Sequence, residues 1–220
     1  MNSVMIQVLW QVLWVMIFWA GFGVIALPEF FKISKNKAIL KWIPFLGMLI
    51  TNIAVILAPF SPQPVIGGAL EWPSKVVGII FTICGILFMM ISIMSFRREA
   101  LKAKLEQSVG PMGPNTLVTT GLYAKIRHPI YTGRVLIAIG WSLTWNSVYS
   151  LFIIPIIVWI TFVAVIKFWE EPELIKSFGE EYDKYKRSTP PLFPMYLKII
   201  LIALIIAIVV FTIIGLIPIL

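Results

Sequence analysis

The chain has 220 residues, 60% of them hydrophobic and 13% charged, and a mean hydropathy of +0.95. Soluble domains carry about 25% charged residues, so a water-soluble globule is excluded, and so is a disordered chain, which is poor in apolar residues. A single cysteine (Cys84) and aperiodic glycines exclude a disulfide scaffold and a collagen-like chain. What remains is an all-α integral membrane protein. The net charge of +8 is then explained by where the charges fall, without nucleic acid as a partner.

A helix needs about 20 apolar residues to cross a bilayer. The first candidate span is Val4 to Leu27, closed by Pro28 and Glu29. The second is Ile43 to Phe60, closed by Ser61-Pro62-Gln63-Pro64, and the third is Val76 to Phe96, closed by Arg97 and Arg98. A polar stretch follows to Arg134. A short fourth span, Ile130 to Trp145, turns at Asn146-Ser147 into a fifth, Val148 to Trp169, so the pair reads as a helical hairpin. A second polar stretch runs from Glu170 to Pro194, and Tyr196 to Ile219 makes a sixth span. The chain therefore reads as one membrane domain: three amino-terminal spans (1–96), a core containing the hairpin (97–194) and a further span (195–220). The first span lacks the basic start of a signal peptide and is too long for one.

Seventeen of the 18 basic residues fall in the segments after the first, third and fifth spans and their flanks; only Lys75 lies opposite. The positive-inside rule puts those segments in the cytoplasm and both termini outside. Gln7, Gln11 and Asn52 within the spans read as interhelical hydrogen-bonding groups. No ionisable residue sits mid-span and no repeat relates the two halves, which disfavours coupled transport.

The functional groups concentrate in the two long cytoplasmic segments. The first ends in Arg127-His128-Pro129-Ile130-Tyr131-Thr132-Gly133-Arg134, preceded by Leu117-Val118-Thr119-Thr120-Gly121-Leu122-Tyr123. Pro129 suits the first turn of a helix. His128 is the only histidine. The second segment opens on Glu170-Glu171-Pro172, where a new helix can start at the proline. Glu180 to Arg187 reads as a short amphipathic helix with Tyr182 and Tyr185 on one face. Alone, such interfacial residues are as well explained by lipid headgroup contacts and the aromatic belt.

Taken together they are more specific. Arg127-His128-Pro129-x-Tyr131-x-Gly133, a helical hairpin, Glu170-Glu171, Phe178-Gly179-x-Glu181-Tyr182-x-x-Tyr185 and Phe193-Pro194 resemble the isoprenylcysteine carboxyl methyltransferase family over about a third of the chain. The first three spans share only membrane character with it. The resemblance implies an S-adenosylmethionine-dependent methyltransferase with a cytoplasmic-side cofactor pocket built by the last third of the chain, and no metal. His128, Tyr131, Gly133, Glu170 and Glu171 would line that pocket, with Leu117, Val118, Gly121 and Tyr123 from the approach to the motif. A lipid or lipid-linked acceptor would enter from the bilayer. Glu171 is the nominee for a base, were the acceptor an amine or thiol. One departure stands out: many relatives carry an arginine two positions before Phe-Pro, where this chain has Pro191, and Arg187 is the nearest replacement. Rival readings are an NADPH-dependent reductase of the sterol reductase type, a phospholipid or thiol methyltransferase, and a non-catalytic membrane scaffold.

Overall fold

A computed structural model describes residues 3–30, 43–105, 109–110, 113–114, 117–193 and 206. The described residues form, in order, the helices α1 (Ser3–Phe30), α2 (Ile43–Leu57), α3 (Glu71–Leu105), α4 (Pro129–Thr144), α5 (Val148–Val165), α6 (Glu171–Phe178) and α7 (Glu180–Ser188). A two-residue antiparallel ladder joins Val109–Gly110 to Gly113–Pro114. Among the described residues, three helical stretches are long and apolar enough to cross a membrane: Ser3–Val24, Gly68–Glu99 and Val148–Phe178. Large apolar side chains stand exposed along them, among them Leu9, Ile80 and Ile156, as expected where the solvent is hydrocarbon. The protein is a helical membrane protein. The expected sixth span lies outside the described residues except for Ile206, which is helical.

Several boundaries differ from the sequence expectation. Helix α1 runs through Pro28 to Phe30, because a proline close to a helix end forfeits only one backbone hydrogen bond. Helix α3 starts at Glu71 and continues to Leu105, past Arg97 and Arg98; charged residues with good helix propensity extend a helix beyond the apolar stretch. The fifth span changes winding at its end, where Ile166–Glu170 forms a π-helical turn.

The chain divides into two compact units, Met1–Thr82 with Leu136–Val158, and Ile83–Val135 with Trp159–Leu220. In the first, a buried polar network replaces water. Gln11, 1% exposed, donates from Nε2 to Ser61 Oγ at 2.8 Å and accepts from Ser150 Oγ at 3.3 Å. Gln63 Oε1 accepts from Ser150 N at 2.9 Å. The hairpin turn is anchored to the proline-rich loop: Asn146 takes a positive φ of 55°, which asparagine tolerates, and its carbonyl accepts from Ile66 N at 2.8 Å. Asn52 instead bonds Met48 O on its own helix.

A glycine permits close helix approach in each unit. A Cβ on Gly140 would lie 2.4 Å from Thr82 N and 2.6 Å from Gly78 O. In the second unit a Cβ on Gly133 would lie 2.7 Å from Gly85 O. Small residues permit such backbone contact, which drives helix association where burial from water contributes nothing. Gly140→Leu is therefore expected to destabilise the protein by about 1–3 kcal/mol or more through overpacking, read as a lowered unfolding midpoint in detergent. Gly23→Ala, with nothing within 4 Å, is expected to leave it unchanged or raised.

Candidate functional site

The second unit brings the two polar segments together. The link is Arg127, in the short connection between the 3₁₀ turn Gly121–Ala124 and α4. Its Nη2 donates to Glu171 Oε1 at 2.6 Å, with both side chains under a tenth exposed. Its Nη1 donates to the carbonyl of Lys186 at 2.7 Å and to that of Thr189. Lys186 Nζ closes the cluster on Glu171 Oε2 at 2.7 Å. A buried carboxylate is tolerated only with such compensation.

The backbone continues this docking. Arg127 N and His128 N donate to the carbonyls of Pro190 and Pro191, each at 2.9 Å. Both acceptors are prolines and have no N–H to return, so the segment accepts here without an N–H of its own that would need an acceptor opposite. Thr132 Oγ1 donates to Leu192 O at 2.9 Å, and Tyr185 OH donates to Tyr123 O at 2.6 Å. Pro191, where an arginine is expected from the resemblance, thus lends its carbonyl to the histidine backbone.

A second cluster adjoins the first. His128 Nδ1 lies 3.0 Å from Glu170 Oε2, and Tyr131 OH donates to Glu170 Oε1 at 2.5 Å. Tyr131 stacks on Phe162 with centroids 4.4 Å apart and planes 12° apart. Adjacent helical residues project about 100° apart, which lets Glu170 and Glu171 meet different partners. Their exposure differs: the Glu170 side chain is 38% exposed and that of Glu171 9%. His128 Nε2 and Arg127 Nε are buried without a hydrogen-bond partner among the described residues. Burial, then the Glu170 charge, pushes the Tyr123 phenol up to about 12. Burial, then the Glu171 charge, raises that of Tyr182.

The expected site residues therefore separate. Tyr123, His128, Tyr131 and Glu170 converge, and Glu171 stands beside them in the Arg127–Lys186 cluster. Gly133 packs against Gly85 and Met89 of α3. Gly121 supplies a positive φ of 62° at the entry to the 3₁₀ turn. Val118 is buried and Leu117 half-buried. Arg187 is exposed, its Nε directed to Asp183 O on its own helix at 3.4 Å. Sequence reasoning left Arg127, Thr132, Lys186 and Phe162 out of the site. Arg127 sits inside the quoted motif and was legible there; the others carry no local signal.

The fold and these clusters define a helical membrane protein with a histidine–carboxylate site at a helix end. Residues 73–181 match the model of the phospholipid methyltransferase family, which marks this segment as a methyltransferase domain. Over 79 residues it is 33% identical to protein-S-isoprenylcysteine O-methyltransferase of Schizosaccharomyces pombe, covering 36% of this chain and 33% of that protein. Over 80 residues it is 32% identical to the cobalt-zinc-cadmium resistance protein CzcN of Cupriavidus metallidurans, covering 36% of each. The alignments span about a third of the length of these curated relatives. No solved structure matches the chain significantly.

Removing one partner of a buried ion pair leaves the other uncompensated, at about 3–5 kcal/mol. Arg127→Ala is therefore expected to lower the unfolding midpoint and to speed amide hydrogen exchange across residues 186–192, read by mass spectrometry. Arg187→Ala is expected to change neither.

Proposed function

We propose that this protein transfers a methyl group from S-adenosylmethionine to a membrane-associated acceptor, the carboxylate of a prenylcysteine or a similar lipid-linked molecule. The observation that carries this reading is the half-exposed Glu170 carboxylate held beside a buried His128 whose Nε2 makes no hydrogen bond among the described residues and lies 3.9 Å from Glu171 Oε1, in a segment similar to an isoprenylcysteine O-methyltransferase. The family match supports the reaction class. In the same proposal the chain has six spans, the site faces the cytoplasm, both termini lie outside, and the acceptor enters from the bilayer.

The residues present fit the cofactor. S-adenosylmethionine carries two cationic groups and one carboxylate, together with hydrogen-bonding edges. Glu170 has the exposed face to neutralise a cation. His128 Nε2 accepts or donates one hydrogen bond, depending on its protonation, and Glu170 fixes the ring through Nδ1. The cofactor, when bound, supplies a methyl on a sulfonium whose C–S bonding pair stays on sulfur as the acceptor oxygen bonds the carbon. The protein's part is to orient and to exclude water. A carboxylate acceptor is ionised above its ordinary pKa of about 4, so it needs no base. In this reading Glu171, already bound by Arg127 and Lys186, acts by holding the 186–192 segment over the site.

Calorimetric titration of the detergent-purified chain tests this. S-adenosylhomocysteine is expected to bind saturably and NADPH not to. Glu170→Ala is expected to weaken that binding about tenfold or more, the worth of a charge-assisted hydrogen bond. Binding of NADPH alone makes the protein a reductase, and silence with both ligands in folded protein makes it a scaffold.

A further inference from the structure

The second unit holds a half-buried cationic side chain in α4, Arg134, that the clusters described above do not use. Arg134 lies in the second turn of α4, three residues beyond Tyr131, so the two side chains are neighbours on the helix surface. Its guanidinium carbon sits 5.8 Å from the centroid of the Phe162 ring. Phe162 is buried and stacks on Tyr131, which in turn stacks on His128 at 5.9 Å. The row His128, Tyr131, Phe162, Arg134 thus runs from the Glu170 carboxylate to a positive charge. Among the described residues the Arg134 guanidinium makes no hydrogen bond, and no carboxylate lies within ion-pair reach of it: Glu170 and Glu171 are bound to His128, Tyr131, Arg127 and Lys186.

A guanidinium stays charged at working pH. Half-buried beside an aromatic ring, within a segment read as membrane-spanning, an unpaired one is costly. A bound anion removes that cost. The planar fork matches a carboxylate, two parallel N–H donors to two oxygens. The opposed charges also order a reaction between a cationic donor and an anionic acceptor: the cation belongs near Glu170 and the anion near Arg134. An ammonium acceptor would instead be repelled by Arg134.

We propose that Arg134 binds the carboxylate of the methyl acceptor and so selects an anionic over an amine acceptor. This rests on the methyltransferase reading above and adds the residue that recognises the acceptor.

The test is direct binding to the detergent-purified full chain, with N-acetyl-S-farnesylcysteine and its carboxamide as probes. The wild type is expected to bind the acid at least about tenfold more tightly than the amide, the worth of a charge-assisted contact. Arg134→Gln is expected to lose that preference through weaker acid binding, with amide and S-adenosylhomocysteine affinities unchanged. Arg134→Lys, which keeps the charge but not the fork, is expected to fall between; it also serves if the glutamine variant does not fold. Equal acid and amide affinities in the wild type overturn the assignment and leave Arg134 to lipid phosphates. A preference that survives Arg134→Gln overturns it as well. Loss of S-adenosylhomocysteine affinity in Arg134→Gln, with the acid preference intact, reassigns the arginine to the cofactor's carboxylate. Failure of the wild type to bind S-adenosylhomocysteine overturns the methyltransferase reading, while the acid–amide comparison still decides the role of Arg134.

Discussion

The ion pair between Arg127 and Glu171 is the contact on which the candidate site depends. It joins residues 44 apart in sequence at a place where neither charge can be left alone. Arg127 has more donors than one carboxylate can take, and it spends the rest on the carbonyls of Lys186 and Thr189. The guanidinium thereby fixes the start of α6 and the end of α7 against the entry to α4. His128 follows Arg127 directly, and Glu170 precedes Glu171. Docking one neighbour pair thus brings the other pair within 3.0 Å.

The membrane gives this arrangement its physical character. Lipid offers backbone and side-chain polar groups no partners, so each unit supplies partners for most of its own. In the first unit Gln11, Ser61, Gln63 and Ser150 bond one another. In the second, the proline carbonyls at 190 and 191 take the donors of the Arg-His pair. Cohesion comes from backbone approach at glycine, at Gly78 with Gly140 and at Gly85 with Gly133. Two glycines of α4 therefore have a packing function that a reading aimed at chemistry passes over. Gly133 belongs to the motif and yet its missing Cβ makes room for α3.

The two adjacent carboxylates illustrate how environment separates identical groups. Glu171 is buried and bound on both oxygens by cations. Glu170 is more open and shared between an imidazole and a phenol. The first is suited to holding structure and the second to meeting a ligand. No sequence pattern distinguishes them, because they differ only in what the fold brings to each.

Composition and hydropathy by themselves determined that the chain is a helical membrane protein, because uninterrupted apolar runs have no other stable state than helices in lipid. Spacing determined the hairpin, the short helices after Glu170 and the motif residues, since these depend on local turns, prolines and periodicity. The family resemblance was legible for the same reason: its signature is local in sequence. Only the tertiary structure decided that Arg127 is the hub, that Thr132 and Lys186 join it, that Glu170 and Glu171 have different partners, and that Arg134 stands over Phe162 with no carboxylate in ion-pair reach among the described residues. These are contacts between segments tens of residues apart, set by side-chain length, burial and the direction each helix face takes, and no local pattern encodes them.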